Sequence, residues 1–446
     1  MWNLAKILIP ILLTYSCYKE LLDEATYEDE FQIDTTLTFH DENLSNDVFF
    51  QSFWWDIIDD QRIGTNFYSF LEDKIEDLKS SHIDLIWLPP PSDGDGMGYH
   101  PRKLFDFNSN FGSKNQLQTL LETMKRQKIH PMADIVINHR VGTFNWTDFT
   151  EPSWSCESIC SDDESVFDPA AFGTIPCGSA DEGEKWGGAR DLNHKSLEVQ
   201  EGIKNYFHRL ESLGFDSWRY DFVKGYPAKY VALYNQTLPH YFSVGEYWDS
   251  DTEKLKNWIQ STHTSIAGKK INPSAAFDFP LKYNLREAFV KFNYELLNPQ
   301  NNIGLSGDKN FKHLAVTFLD NHDTGCINRD DCNSLFSKNT AAIKKGYAYL
   351  LTHPGLPMIW GYHYFFQDSS GSLQSDLKNL IFIRKKYGIN AKSNVDVLST
   401  SNGLSGHYVA NIDQKLIIKI GASEYSPSSE WKKILNTEHY SIWTKD

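Results

Sequence analysis

Three features are scarce in this chain of 446 residues, and each scarcity excludes a class of protein. Lys and Arg number 43 against 59 Asp and Glu, giving a formal net charge of -16. Nucleic-acid phosphates require Lys and Arg, so this balance argues against a nucleic-acid partner. No run of 18 or more apolar residues occurs, so no ordinary membrane-spanning helix is predicted. A glycine-rich phosphate loop after the first predicted strand is also missing, which argues against a doubly wound nucleotide-binding sheet.

Cysteine is scarce as well, with six residues in the whole chain. Cys156, Cys160 and Cys177 fall in one segment, and Cys326 and Cys332 lie close together in another. Export would permit disulfides, so the second group could pair across a small loop. Metal binding by the three-cysteine group is an alternative, although its spacing is not a standard zinc pattern. If the cysteine near the N-terminus is modified, an odd number remains, so at least one thiol is unpaired or bridges elsewhere.

Residues 1–17 indicate an export signal. One Lys precedes the short apolar run ILIPILLTYS, which is followed by Cys17. We interpret this as a bacterial lipoprotein signal, cleaved before Cys17 so that acyl chains can be attached to its sulfur. In the alternative, Cys17 is discarded with an ordinary signal peptide and the protein is secreted. Residues 18–46 are acidic and aperiodic, as expected for a solvated tether between an anchor and a folded domain.

Short apolar runs recur along the chain, each followed by a helical pattern or by room for one. This alternation predicts parallel strands with crossover helices. Eight units over roughly 340 residues fit an α/β fold of the (β/α)8 TIM-barrel type with insertions. The predicted strands lie at 47–56, 83–90, 130–138, 215–223, 241–248, 274–280, 313–323 and 355–365, and helices are predicted at 64–80, 113–128, 196–213 and 339–353.

Two segments fall outside the barrel pattern. About fifty residues rich in Gly, Ser, Pro, Asp and Cys follow Asn138, which is too long for a simple loop in a compact domain. Near the C-terminus the pattern changes to short strands, including GHYVANI and QKLIIKIG. The sequence therefore predicts a barrel formed by 47–139 and 192–387, a small domain inserted at 140–191 after the third strand, and an antiparallel β domain at 388–446.

Charged side chains follow several predicted strands, at the barrel end where active groups cluster. Arg219 and Asp221 would share one face of the fourth strand, and Glu246 follows the fifth. Burying a charge is costly unless it is paired or used. Acids at three strand ends, interleaved with Arg and His, are therefore hard to explain as packing. The third strand ends with Asn138, His139 and Arg140, and the seventh with His322 and Asp323.

Four stretches carry a family resemblance: DIVINHR (134–140), GFDSWRYDF (214–222), VGEYWD (244–249) and FLDNHDTG (318–325). They resemble the four conserved stretches of the α-amylase family of glycoside hydrolases. The likeness runs in order from residue 47 to the C-terminal domain. It implies a retaining enzyme that hydrolyses internal α-1,4 links of starch, glycogen and maltooligosaccharides. WLPPPS (87–92), GYHPRKLFDF (98–107) and DFVKGY (221–226) are similar to the plant and archaeal type in particular.

The resemblance implies a role for each acid. Asp221 resembles the nucleophile that forms a covalent glycosyl intermediate, and Glu246 resembles the general acid and then base. Asp323 resembles the third acid, which binds the distorted sugar. Such cleavage needs one protonated and one ionised carboxyl. Arg219 should keep Asp221 ionised through its positive charge, while apolar neighbours should raise the pKa of Glu246.

Sugar contacts are implied for another set of residues. His139 and His322 match family histidines that bond sugar hydroxyls beside the cleaved linkage. A histidine in a core is usually structural, but these two flank the acids. Tyr99 matches an aromatic residue that stacks on the sugar, Lys224 matches a position on the leaving-group side, and Arg219 completes the set. The implied partner is an α-glucan, bound by a monomer.

One Ca²⁺ is the implied metal. In the family it is held by an Asn at the third strand end, by Asp residues of the inserted domain and by a main-chain carbonyl. Those positions here are Asn138, Asp181, Asp191 and the carbonyl of Gly225, and oxygen ligands suit a hard cation. Lys185 stands where the plant type has an acid serving further calcium ions, so we expect one ion. In the alternative, the two Asp residues belong to a solvated loop.

Two alternative functions remain from the sequence. One is a sister activity with the same acids, either an oligosaccharide-forming amylase or a transglycosylase, which size separation of amylose digestion products would distinguish. The other is a non-catalytic relative that binds glucan. The intact set of Asp221, Glu246 and Asp323 counts against the second alternative.

Overall fold

A computed structural model describes residues 44–163, 175–263, 265–266, 269–270, 272–298, 301, 303–325, 336 and 339–445. The predicted export signal with Cys17 and almost all of the predicted tether lie outside the described residues, as do Cys326 and Cys332. Within the part of the chain that is described, no helix combines the length and apolar character needed to cross a membrane.

Eight parallel strands close into a barrel, as the sequence predicts. Each strand is bonded to a neighbour on both sides, and nearly every strand residue is buried, which explains the continuous apolar runs. The strands are β1 (Phe49–Gln51), β2 (Leu85–Leu88), β3 (His130–Ile135), β4 (Ser217–Tyr220), β5 (Phe242–Gly245), β6 (Ala275–Phe277), β7 (Ala315–Thr317) and β8 (Leu356–Trp360). They are much shorter than predicted, because residues that follow each strand leave the sheet to form the mouth of the barrel.

Helices connect the strands. They are α1 (Phe67–Glu72), α2 (Ile75–Ser80), α3 (Lys114–Arg126), α4 (Leu197–Leu213), α5 (Ala228–Asn235), α6 (Thr252–Thr262), α7 (Phe279–Val290), α8 (Thr340–Thr352), α9 (Gly361–Phe365) and α10 (Ser372–Tyr387). Short 3-10 turns lie at Leu44–Asn46, Ile57–Asp59, Gln61–Ile63, Gly96–Gly98, Cys156–Ser158, Tyr294–Leu297, Leu305–Gly307 and Lys312–Leu314.

Local sequence signals explain where helices begin and end. Ser113 and Gln116 form a capping box at the start of α3, each side chain bonded to the other's backbone N–H. At the end of α4, Gly214 has a φ of 121° and its N–H donates to the carbonyl of Leu210. A residue with a side chain would be strained at that φ, so the glycine ends the helix and turns the chain into β4.

Two predicted elements are wrong in detail. The single helix expected at 64–80 is divided into α1 and α2, where the N–H of Lys74 donates to the carbonyl of Leu71 in a tighter turn. The strand expected at 355–365 ends at Trp360 and continues as the helix α9. The apolar run crosses from strand to helix without a polar break, so its composition gives no sign of the change.

The segment between β3 and α4 is fastened to the barrel by backbone pairing and by one buried cation. His139–Arg140 pairs antiparallel with Arg190–Asp191. The guanidinium of Arg140 is fully buried and donates to the carbonyls of Arg102 and Pro152. Arg140, which follows the third predicted strand, therefore holds this segment in place rather than facing the barrel mouth. The boundaries proposed for the inserted domain stay predictions.

A disulfide joins Cys156 to Cys177, with an S–S distance of 1.97 Å. Cys160 is a free, buried thiol. Because two of the three cysteines are bonded to each other, their thiolates are not available as ligands, which excludes the alternative of a three-cysteine metal site. The pairing that the sequence left open is thereby settled for this group.

The C-terminal residues form a five-stranded antiparallel sheet, as predicted. One of its faces joins the main hydrophobic core through Tyr408, Ile418 and Ile442. His353 at the end of α8 lies 2.9 Å from the hydroxyl of Tyr408, so the sheet is attached to the barrel by a polar contact as well. The strands are β9 (Val395–Ser401), β10 (His407–Ile412), β11 (Leu416–Gly421), β12 (Lys432–Asn436) and β13 (Tyr440–Thr444), in the order β9-β10-β11-β13-β12.

Candidate active site

A buried arginine organises the mouth of the barrel. Arg219 in β4 is 0% exposed, and three carboxylates surround its guanidinium. Its Nη1 lies 2.8 Å from Oδ1 of Asp134 and 2.5 Å from Oδ1 of Asp221, while Nη2 lies 2.7 Å from Oε1 of Glu246. Three acids against one fixed cation leave the site negative when all are ionised, so one of them is favoured to hold a proton.

Strand register brings Asp221 and Glu246 together. Asp221 directly follows β4, and its N–H donates to the carbonyl of Ile135 at the end of β3. The N–H of Glu246 donates to the carbonyl of Tyr220 across the β4–β5 pair. The N–H of Phe222 in turn donates to Oε2 of Glu246 at 3.3 Å. The two carboxylates therefore face one arginine from adjacent strands.

Burial dominates the electrostatics of two of these acids. Burial is the main cause that raises the pKa of Glu246, and the nearby Asp221 adds to it, whereas Arg219 opposes the rise. Burial likewise raises the pKa of Asp134. The direction expected for Glu246 from its apolar neighbours is therefore confirmed. A carboxyl that holds its proton in this setting can donate it, which is what a general acid must do.

Asp134 is a member of the site that the sequence did not single out. It is fully buried in β3 and accepts hydrogen bonds from Arg219, from the hydroxyl of Tyr99 at 2.7 Å and from Nε1 of Trp87 at 3.2 Å. It thus fixes both the arginine and the tyrosine. The available signal was its place as the first residue of the stretch DIVINHR, an acid inside an otherwise apolar strand.

The loop after β7 brings His322 and Asp323 to the same mouth. Nε2 of His322 lies 3.3 Å from Oδ2 of Asp323, whose side chain is 30% exposed and thus accessible from the cleft. The ring of Tyr99 stacks on His322 with a centroid distance of 5.1 Å and an angle of 11°. Burial, with a smaller contribution from the charge of Arg219, holds the pKa of His322 well below its usual range. Burial therefore favours the neutral form of the ring.

His139 lies between Tyr99 and the inserted segment. Its Nε2 donates to the carbonyl of Tyr99 at 2.7 Å, and burial lowers its pKa to about 4. The half-buried ring of Trp186 stacks on it at 4.0 Å. Trp186 was also missed in the sequence, although it is the aromatic residue of an otherwise polar, glycine-rich stretch at 179–194.

Lys224 lies on the Glu246 side of the cleft. Its Nζ is 2.7 Å from Oε1 of Glu184 in the inserted segment and 3.6 Å from Oδ2 of Asp249. It also donates to the carbonyl of Trp248 at 3.4 Å. Lys224 therefore bridges the inserted segment and the loop after β5.

Three of the four predicted calcium ligands lie close together at the end of β3. Nδ2 of Asn138 donates to Oδ1 of Asp191 at 3.0 Å. Oδ1 of Asn138 is buried and accepts no hydrogen bond from the described residues. A Cβ on Gly225 would lie 1.9 Å from that oxygen, so only glycine lets the backbone approach so closely.

Asp181, the fourth predicted ligand, is linked to this region through Gly183. Its Oδ1 accepts from the N–H of Gly183 at 3.2 Å, and a Cβ on Gly183 would lie 2.0 Å from the carbonyl oxygen of Gly225. Among the described residues, no group of three or more His, Cys, Asp or Glu side chains is arranged to hold a metal ion. The predicted set contains two carboxylates, one amide and one main-chain carbonyl, so it would not form such a group even with all its members in place.

Two family models match the chain. One, described as the α-amylase catalytic domain, covers residues 68–166, and the other, described as the α-amylase C-terminal β-sheet domain, covers residues 386–444. A protein of Arabidopsis thaliana named probable α-amylase 2 is 33% identical over 400 residues, which is 84% of this chain and 89% of that relative. The chloroplastic α-amylase 3 of the same plant is 29% identical over 403 residues, covering 84% of this chain and 42% of that relative.

Solved structures show the same architecture. An α-amylase from Geobacillus thermoleovorans, crystallised in complex with acarbose, has a TM-score of 0.66 to this chain. The likeness covers 90% of this chain and 99% of that one, at 15% sequence identity. At that identity the likeness shows the fold alone.

Proposed function

Because the chain belongs to the α-amylase family of glycoside hydrolases, we propose that Asp221, Glu246 and Asp323 carry out its reaction. The enzyme hydrolyses internal α-1,4-glucosidic bonds of α-glucans. The observation that carries the assignment is the contact of one buried guanidinium, that of Arg219, with both Asp221 and Glu246. A retaining glycosidase uses two carboxyl groups in one site, and this contact holds both of them in place.

The proposed reaction has two steps. The carboxylate of Asp221 attacks the anomeric carbon while Glu246 gives its proton to the departing glycosidic oxygen, and a covalent glycosyl–Asp221 ester forms. Glu246 then accepts a proton from water, which attacks the same carbon and releases the ester. The product keeps the α configuration because the carbon is inverted twice.

The remaining site residues bind and orient the sugar. Asp323, open to the cleft beside His322, is placed to bond hydroxyls of the distorted sugar, and the ring of Tyr99 supplies an apolar face. We assign His139 and Lys224 to the two sides of the sugar-binding site. Loss of starch hydrolysis on replacing Asp221 by Asn or Glu246 by Gln tests the assignment, and near-native activity in either variant would overturn the role of that residue.

We further propose that one Ca²⁺ is held by Asn138, Asp181, Asp191 and the carbonyl of Gly225. The α-amylase family is generally calcium-dependent. The support from this chain is the buried Asn138 Oδ1 without a hydrogen bond and the absence of a side chain at Gly225. All four ligands are oxygen atoms, as calcium prefers. The ion would supply a positive charge that ties the inserted segment to the end of β3, next to His139.

Chelation should lower the melting temperature by several degrees. A ligand bound by the native state alone stabilises it by about 2.7 kcal/mol at a concentration about 100 times its Kd. Asp191→Asn should reduce the response to chelator, because it removes one charged ligand. The matched control is Glu182→Gln in the same stretch, where the exposed carboxylate pairs with Lys195. A native melting curve that responds neither to chelator nor to added calcium would exclude the site.

We also propose that the protein is exported and held at a membrane by acyl chains on Cys17. The short apolar run before Cys17 and the acidic segment after it support this. Glucan polymers do not cross membranes, so an anchored enzyme would act on them outside and keep its products near the cell. A monomeric working form also stays a prediction.

Cys17→Ser tests the anchor, because a hydroxyl does not replace the thiol in lipid attachment. We expect the variant to leave the membrane fraction, while the mature native chain begins at Cys17. Cys160→Ala is the matched control, since that thiol is buried and far along the chain. A Cys17→Ser protein that still fractionates with membranes, or a native chain that begins elsewhere, would refute the anchor and leave the enzyme assignment intact.

A further inference from the structure

A buried glutamine at the end of β1 contacts His322 in the loop after β7. Gln51 is 0% exposed, and its side-chain Nε2 lies 2.9 Å from Nδ1 of His322. The other ring nitrogen of His322, Nε2, lies 3.3 Å from Oδ2 of Asp323. One ring thus links a buried amide to an acid that faces the cleft.

The partners of the ring decide which nitrogen carries the proton. A neutral imidazole has one N–H and one lone pair. A carboxylate accepts hydrogen bonds, so the contact of 3.3 Å between Nε2 of His322 and Oδ2 of Asp323 favours an N–H on that nitrogen. Nδ1 of His322 then has the lone pair and needs a donor, and the NH₂ group of Gln51 is in place to supply it.

Stacking fixes the plane of the ring but not its proton. Tyr99 lies parallel to His322 at 5.1 Å, and Trp55 is parallel within 18° at 6.0 Å. Neither aromatic face distinguishes one tautomer from the other. The charged groups that face the ring are Asp323 and, at longer range, Arg219, whose charge disfavours the imidazolium.

Packing alone does not explain a glutamine at this position. Oε1 of Gln51 is buried and accepts no hydrogen bond from the described residues, which is costly for a polar atom. Gln51 stands in register with the buried Trp87 and Trp360 of the neighbouring strands, where Met or Leu would fill the space without that cost. The hydrogen bond from the NH₂ group of Gln51 to His322 therefore offsets the cost of leaving Oε1 without a hydrogen bond.

We propose that Gln51 is a positioning residue, which holds His322 as the tautomer whose Nε2–H points at Asp323 and the sugar site. The inference rests on the function proposed for this cleft. Gln51 is fully buried behind the ring and would not contact the sugar. It acts by keeping the N–H on Nε2 of His322, where a substrate hydroxyl and the third acid meet. Without Gln51 the proton could move to Nδ1, and Nε2 and the Asp323 carboxylate would then be two acceptors facing each other.

Gln51→Met keeps the size of the side chain and removes the donor. We expect kcat/KM on starch to fall by about 10- to 100-fold, as is typical for partners that orient a functional histidine. The matched control is Gln200→Met, because Gln200 is equally buried but donates to the carbonyl of His194 away from the cleft. The control should lose stability to a similar degree and keep the native kcat and KM.

Gln51→Glu gives a signature that a packing role would not produce. A carboxylate at this position accepts from Nδ1, so the Nε2–H survives only while His322 carries a second proton. We expect this variant to retain activity at acidic pH and to lose it as pH rises through the pKa of the new imidazolium, well before the native enzyme declines. A native-like pH profile in Gln51→Glu would overturn the proposal.

The native protein supplies an independent test. Nitrogen-15 NMR of histidine-labelled protein, with His322 assigned from the signal lost in His322→Gln, should show an unprotonated Nδ1 and a protonated Nε2. The reverse pattern would overturn the inference even if the variants fold poorly. An inactive Asp221→Asn enzyme beside a fully native Gln51→Met enzyme would reject this inference alone, whereas an active Asp221→Asn enzyme would reject the proposed function.

Discussion

Replacing Asp221 by Asn should lower the rate of starch hydrolysis by on the order of 10⁴-fold or more, equivalent to about 5.5 kcal/mol of transition-state stabilisation. An amide of the same shape does not attack the anomeric carbon, so the covalent step is lost. Folding should be preserved, because Arg219 keeps its contacts with Asp134 and Glu246. The amide also carries no charge that repels Asp134 and Glu246, so the melting temperature should not fall.

The matched control lies at the other end of the same strand. Asp216 precedes β4 and contacts His130 at 2.7 Å, on the side of the barrel away from the mouth. Asp216→Asn should keep its activity within about twofold of the native value, which is far less than the loss expected for a catalytic residue. Steady-state kinetics with soluble starch and thermal melts of both variants provide the comparison. An Asp221→Asn enzyme as active as its control would show that the nucleophile is another residue.

Glu246→Gln should also abolish useful activity on starch, but for a different reason. A glutamine has no proton to give, and general acid–base catalysis contributes roughly 10²- to 10⁴-fold. Glycosyl fluorides do not need that proton, because fluoride departs unaided. The variant should therefore still release fluoride from α-maltotriosyl fluoride in its first turnover while failing on starch. Absence of this first-turnover release of fluoride would contradict the role of general acid.

The pH dependence follows from the same group. Burial raises the pKa of Glu246, so the proton it must donate is retained above the usual carboxyl range and lost as pH rises further. Native activity on starch should decline on that alkaline side. The first-turnover release of fluoride by Glu246→Gln should lack the decline. The surface variant Glu253→Gln, whose native carboxylate pairs with Lys256 at 2.8 Å, is a control with the native profile.

The barrel could be predicted because its strands are buried on both faces. Continuous apolar runs such as those around Ile86 and Val244 leave few alternatives once helices separate them. Strand ends were less predictable. β3 ends at Ile135, three residues before Asn138, and β7 ends at Thr317, three residues before Asp320. The apolar pattern continues past these ends because the residues that line the mouth are themselves buried.

The part of the candidate site that consists of charged residues at strand ends could be predicted from the sequence. The acids at the ends of β4 and β5 stand out because a charge in an apolar run needs a reason. Asp134 was missed because its function depends on contacts with Trp87 in β2 and with Tyr99 in the loop that follows β2, and the sequence does not show these contacts. Gln51 was missed for the same reason, because a neutral side chain in β1 carries no sign that His322 lies beside it.

Long-range pairing explains the other gaps. The sequence placed Cys156, Cys160 and Cys177 together but left their pairing open, because spacing alone does not show which thiols meet. The fold brings Cys156 and Cys177 to a Cα distance of 5.2 Å and leaves Cys160 buried. The calcium ligands were named through the family resemblance and not from their spacing, since Asn138 and Gly225 meet only through the packing of β3 against β4.

Mass spectrometry of Glu246→Gln after reaction with α-maltotriosyl fluoride tests the central claim most directly. The first step proceeds without an acid, but the second step needs Glu246 to activate water, so the covalent intermediate should accumulate. We expect peptide mapping to show one maltotriosyl group on the peptide that contains Asp221. Consumption of the fluoride without an adduct, or an adduct on Asp323 or any other residue, would contradict the claim that Asp221 is the nucleophile of a retaining reaction.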